Sequence, residues 1–156
     1  MISLKKILLP TDGSDFSRTA VKYGLALAAH HESEVTMLHI VENISVDLIG
    51  PGYYPDEVYN EIVNNSVSHA EKMLSQYCSN INLHGLDVKK VVIKGDVFSE
   101  IVRYGKEDES DLIVIGTHGR TGLSHLLMGS VCEKVVRNSP CPVLSVKPDG
   151  HQFVPL

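Results

Sequence analysis

"DLIVIGTHGRTGLSHLLMGSVCEKVV", Asp111 to Val136, decides how this chain folds. It opens as a short apolar run rich in Ile and Val, the form of a strand covered on both faces. It then breaks into a loop with glycines at 116, 119, 122 and 129, and ends in a helical pattern, "VCEKVVRN", that Ser139-Pro140 stops. Strand, loop and helix in that order build parallel sheets, and the loop lies at the carboxyl end of the strand, where such sheets bind ligands. Gly116 and Gly119 can take positive φ and let backbone come close to a ligand. Gly129 stands where a helix begins and its free N–H groups point outward, so the loop has the geometry of a phosphate cradle. Ser130 adds a hydroxyl at the same place. Ser130-x-x-Glu133 also has the form of a capping box, in which that hydroxyl would serve its own helix.

The same unit recurs along the chain. "KKILLP" (5 to 10), "EVTMLHIV" (34 to 41), "DVKKVVI" (87 to 93), "DLIVIG" (111 to 116) and "PVLSV" (142 to 146) read as buried parallel strands. Between them, Phe16, Ala20, Tyr23 and Leu27 keep helical spacing behind an Asp12-Gly13-Ser14 start signal. Val58, Ile62, His69, Ala70, Met73 and Tyr77 do the same after Pro55, and "SEIVRYGKE" supplies a third helix. The order βαβαβαβαβ predicts an α/β fold, a five-stranded parallel open sheet with helices on both faces. Residues 1–147 read as a single domain and 148–156 as a tail without periodicity. The longest irregular piece, Asn43 to Glu57, carries Gly50-Pro51-Gly52 and two tyrosines and reads either as a flap near the ligand end or as an ordinary surface loop.

Composition excludes several function classes. A net charge of -5 and a pI near 5.9 argue against attachment to nucleic acid or to an anionic membrane, since both require a basic face. No apolar run is long enough to cross a bilayer, and the apolar run at the N-terminus is too short for a secretory signal. Cys78, Cys132 and Cys141 are odd in number, far apart and free of CxxC spacing, so reduced buried thiols in a cytoplasmic protein are expected. His30-His31 and His39 have no acidic partners at ligand spacing, so no metal site is signalled there.

Gly116-x-x-Gly119, nine residues, then Gly129-Ser130 resembles the ATP-binding signature of the universal stress protein family. "KKILLPTDGSDFS" at the start, "HIV" ending strand 2 and "NSPCPVLSV" near the end are similar to family patterns as well. The resemblance implies an adenine-nucleotide α-hydrolase-like sheet of order 3-2-1-4-5 that binds ATP, with any Mg or Mn arriving through the phosphates. It implies that Asp12, behind Pro10 and Thr11 at the end of strand 1, lies against the nucleoside, and that Val41 reads the adenine edge through its backbone. Gly116, His118, Gly119, Gly129, Ser130 and Val131 fall on its phosphate-binding positions, with Thr117 and Arg120 in the same loop. Independently, Asp12 lies at the switch point, where it could accept from ribose hydroxyls; an Asx turn capping helix 1 is the other use for it.

Two other classes compete. A phosphoacceptor receiver would align Asp12, Asp96, Thr117 and Lys147 with its acid, phosphoacceptor, hydroxyl and lysine, but its aspartate after strand 3 arrives late here and it has no need for Gly129-Ser130. An adenylate-transferring enzyme or a slow ATPase of the same fold would need a richer glycine loop after strand 1 or a positioned base, and Glu133 is the nearest acid. Pro142 cannot donate to a ladder, so Pro142 to Val146 is predicted to be an edge strand. Its apolar Val143, Leu144 and Val146 call for a cover, which either the tail Pro148 to Leu156 folding back in a monomer or a homodimer pairing two such edges, as the family resemblance implies, would supply.

Overall fold

A computed structural model describes residues 3–42, 56–118 and 128–147. Strands and helices alternate as β1 (Lys6–Pro10), α1 (Asp15–His31), β2 (Glu34–Glu42), α2 (Asp56–Ser79), β3 (Val88–Gly95), α3 (Val97–Glu107), β4 (Leu112–Gly116), α4 (Ser130–Asn138) and β5 (Val143–Val146). The sheet has the order β3-β2-β1-β4-β5, and every pairing is parallel. Both the fold class and the strand order agree with expectation. β1 lies at the centre, with Ile7 opposite Val35 on one side and Leu112 on the other.

Successive side chains of a strand point to opposite faces, so each strand feeds two cores. Ile7, Leu9, Val35 and Met37 meet Val21 and Leu25 of α1 and Leu74 and Tyr77 of α2. On the other face Leu8, Leu38 and Ile113 meet Ile101 of α3 and Cys132 and Val135 of α4. Leu8 and Leu9, neighbours in sequence, are both fully buried, which explains why these strands read as continuous apolar runs. Burying one such side chain contributes roughly 1.5–3 kcal/mol, and truncating Leu8 to Ala would cost about 2–5 kcal/mol by leaving a cavity.

The two edges of the sheet differ. β3 presents Lys89 and Lys90 exposed and Lys94 half-buried, charges that discourage pairing with another strand. β5 carries no charge from Val143 to Val146, and its Leu144 is exposed. Pro142 just precedes β5, where only its carbonyl is used, accepting from the Ile113 N–H at 3.0 Å. Cys78 and Cys132 are buried as expected, whereas Cys141 is only half-buried; all three are free. No helix among the described residues is long and apolar enough to cross a membrane. Of the irregular piece Asn43 to Glu57, residues 43–55 lie outside the described residues, as does the tail from 148 onward, and Asp56 and Glu57 begin α2.

Candidate functional site

Winding the chain from β1 to β2 and β3, and then from β4 to β5 on the other side, puts the switch point between the carboxyl ends of β1 and β4. Pro10, Thr11 and Asp12 emerge from one of these ends, Gly116, Thr117 and His118 from the other. Gly129, Ser130 and Val131 begin α4 beside them, and Val41 stands one strand away near the end of β2. The fold therefore gathers these predicted residues at one rim. Gly119 and Arg120 lie outside the described residues.

The β1–α1 turn is tied down atom by atom. The Asp12 carboxylate accepts from the Ser14 N–H at 3.0 Å and the Ser14 hydroxyl at 2.6 Å, an Asx turn. Ser14, not Asp12, is the N-cap of α1, its hydroxyl accepting from the Ser17 N–H at 3.2 Å. Gly13 takes φ 76°, which a side chain would resist. Below the turn, the Thr11 hydroxyl bonds that of Ser17 at 2.8 Å and accepts from the Gly13 N–H at 3.1 Å. Tyr77 of α2 brings its hydroxyl to this pair, buried and without a well-formed bond, and burial raises its pKa. The Arg18 guanidinium covers the Tyr77 ring at 5.3 Å.

On the β4 side the structure corrects two expectations. Gly116 is not in the left-handed region; the positive-φ glycines among the described residues are Gly13 and Gly85. A Cβ at Gly116 would stand 3.3 Å from the His118 carbonyl and 3.5 Å from the Phe16 carbonyl, so the glycine admits the protein's own backbone. Nor is Ser130 a cap. Gly129 is the N-cap of α4, at φ -59° and ψ 143°, with no side-chain cap bond, and Ser130 is the first helical residue. Gly129 instead clasps β4, its N–H donating to the Thr117 carbonyl at 2.7 Å, and a Cβ there would stand 3.0 Å from that oxygen. Glu133 turns outward to Arg137 at 3.2 Å, and is explained by this pair instead of by capping.

With no side chain among the described residues capping them, the N–H groups of the first turn of α4 keep their positive field directed at the rim. His118 stands beside them, half-buried, with Nδ1 bonded to the Thr117 hydroxyl at 2.9 Å. Its Nε2 is buried and has no hydrogen-bond partner among the described residues. Cys132 lies in the same turn but points inward, and burial pushes its thiol up to about 11, so it stays protonated and unreactive at neutral pH. Glu133 is engaged with Arg137, and Asp12 with Ser14, so neither is presented as a free base to an attacking water.

Two residues at this rim carry no role from sequence reasoning. His39 is buried on β2, and its Nδ1 lies 2.8 Å from the Thr11 carbonyl. Lys94, in register with Val41, donates to the Tyr59 hydroxyl at 2.9 Å. A signal for His39 was present: a polar residue inside an apolar strand, two positions before Val41 and so on the same face. Lys94–Tyr59 had none, because its partners are 35 positions apart. The receiver alignment fails on topology. Asp96 follows an edge strand that β2 separates from β1, and its carboxylate caps α3 by accepting from the Ser99 N–H and hydroxyl. Among the described residues no group of three His, Cys, Asp or Glu side chains gathers to hold a metal.

A five-stranded parallel sheet of this order, with its polar groups collected at the switch point, defines a doubly wound α/β protein of the kind that takes a ligand across the ends of β1 and β4. Residues 3–147 match the universal stress protein family, and the chain belongs to it. It is 35% identical over 146 residues to universal stress protein MJ0531 of Methanocaldococcus jannaschii, covering 92% of this chain and 82% of that one. Universal stress protein MJ0577 of the same organism is 30% identical over 156 residues, covering 94% and 96%. The solved structure of MJ0577 superposes with a TM-score of 0.80, covering 94% of this chain and 97% of that one. A universal stress protein of Archaeoglobus fulgidus solved in complex with dAMP shares the fold at a TM-score of 0.54 and 19% identity, covering 94% and 100%.

Proposed function

We propose that this protein binds an adenine nucleotide, ATP foremost, across the carboxyl ends of β1 and β4, and acts in the cytoplasm as a stress-response or signalling protein whose state follows nucleotide occupancy. The observation that carries the reading is the amino end of α4: among the described residues no side chain caps it, and the buried His118 Nε2, without a partner among them, stands beside it. An anion satisfies both at once. Gly116, Thr117, His118, Gly129, Ser130 and Val131 would meet the phosphates, with Gly119 and Arg120 from the same loop. Asp12, behind Pro10 and Thr11, would accept from the ribose, and the Val41 backbone would meet the adenine. A divalent ion, Mg or Mn, would come bound to the phosphates. The dAMP complex of the Archaeoglobus fulgidus protein supports an adenine nucleotide on this fold. Occupancy is favoured over turnover because Glu133, the nearest acid, is paired with Arg137. Calorimetry with ATP, ADP and AMP tests the reading, and no binding of any of the three at millimolar ligand rejects it.

The same reading includes a homodimer through the edge Pro142 to Val146. The uncharged β5 edge, in contrast to the lysine-lined β3 edge on the far side of the sheet, supports pairing across a two-fold axis. Light scattering should give twice 17.1 kDa at micromolar concentration, and Leu144→Lys should give the monomer. A wild-type monomer rejects the dimer without touching the nucleotide site.

A further inference from the structure

We infer that His39 is a positioning residue for the Asp12 turn: its ring grips the peptide that carries Asp12 out of β1. His39 is 6% exposed, within a strand whose neighbours are Met37, Leu38 and Ile40. An imidazole buried there costs desolvation that a leucine would not, unless a specific bond offsets it. That bond joins His39 Nδ1 to the Thr11 carbonyl at 2.8 Å. A carbonyl only accepts, so Nδ1 carries the proton and the tautomer follows from the geometry. Thr11 is fixed at its other polar atoms as well, its N–H donating to the Leu38 carbonyl at 2.9 Å and its hydroxyl bonding Ser17. The carbonyl held by His39 belongs to the peptide joining Thr11 to Asp12. Rotating that peptide would swing the Asp12 carboxylate away from Ser14 and from the switch point. β2 thus sets the direction in which β1 delivers its carboxylate.

The consequence for affinity rests on the nucleotide reading above; the consequence for the turn does not. His39→Asn keeps a nitrogen donor near the place of Nδ1, whereas His39→Gln keeps polarity but moves the donor outward, and His39→Leu removes it. ATP affinity by calorimetry should fall about tenfold in the Gln and Leu variants and stay near wild type in the Asn variant. In the protein without nucleotide, exchange of the Gly13 and Ser14 amides should quicken in the Gln variant and not in the Asn variant, while the β4 amides keep their protection. Should the Leu variant fail to fold, the Asn and Gln pair decides. Equal affinities and equal Gly13 and Ser14 exchange in that pair overturn the inference. A wild type that binds no nucleotide rejects the proposed function instead, and the amide exchange still decides for or against His39.

Discussion

The helices that follow β3 and β4 start at the same rim of the sheet, each behind a parallel strand, and begin differently. After β3, the Asp96 carboxylate closes the helix on itself, accepting from the Ser99 hydroxyl at 2.6 Å and its N–H at 3.0 Å. After β4, Gly129 brings no side chain to the first turn of α4 and spends its own N–H on the Thr117 carbonyl. A helix that caps itself has used its end; one begun by glycine keeps its donors and its field for something else. The uncapped end lies beside Thr117 and His118 on the β4 side of the switch point, and the capped one is at an edge. Position in the sheet and chemistry of the cap thus select the same turn.

That contrast breaks most visibly at Gly129. A side chain at this position meets the Thr117 oxygen at 3.0 Å, although φ and ψ suit any residue. Gly129→Val should force the clasp apart, costing about 1–3 kcal/mol of stability by overpacking. Nucleotide affinity by calorimetry should fall on the order of a hundredfold. Wild-type affinity in a folded variant would mean that the ligand does not use α4. Asp12→Ala comes next. It removes both the Asx turn and the proposed ribose acceptor and should weaken ATP binding by about 1–3 kcal/mol, and a full titration with unchanged affinity would place the nucleoside elsewhere.

Asp96→Ala tests the other arm. Loss of the cap should cost about 1 kcal/mol in chemical denaturation and leave nucleotide affinity alone. The bonds from the Ser99 hydroxyl and N–H hold the Asp96 carboxyl below the usual carboxylate range. Because the folded-state pKa is depressed, the cap's contribution is present above the unfolded-state pKa and fades as pH falls through the folded one. The stability difference between wild type and Asp96→Ala should therefore hold at neutral pH and narrow in acid; a difference that grows in acid contradicts this cap. Ser130→Ala should change least, by under about 0.5 kcal/mol in stability. A loss near 1 kcal/mol would restore Ser130 as a cap.

Reading the sequence carried the fold a long way, because each signal it used is local. Apolar runs bounded by turn residues mark β1, β2 and β4 within about two residues of their observed ends, since burial on both faces leaves no alternation to misread. The pattern "SEIVRYGKE" starts α3 at Ser99, two residues past the observed start at Val97, where Asp96 caps the helix by accepting from the Ser99 N–H and hydroxyl. Of the loop glycines, Gly116 lacks the positive φ that its type allows. Sequence tells that a side chain is missing, and only packing tells what comes near: there it is the carbonyls of His118 and Phe16, and at Gly129 that of Thr117.

What the sequence determined by itself is the alternation of strands and helices, the rim at which Asp12 and the glycine loop emerge, and the apolar, uncharged strand after Pro142. These follow from periodicity, turn chemistry and the missing N–H of proline, all properties of a few adjacent residues. Only the tertiary structure decided which helix end stays open and which nitrogen of His118 is left without a partner among the described residues, and that a histidine of β2 holds the peptide joining Thr11 to Asp12. The last of these joins groups of different elements, His39 and Thr11, across 28 positions. A hydrogen bond needs its atoms about 3 Å apart, and that distance is set by strand register and helix packing, which no single segment contains.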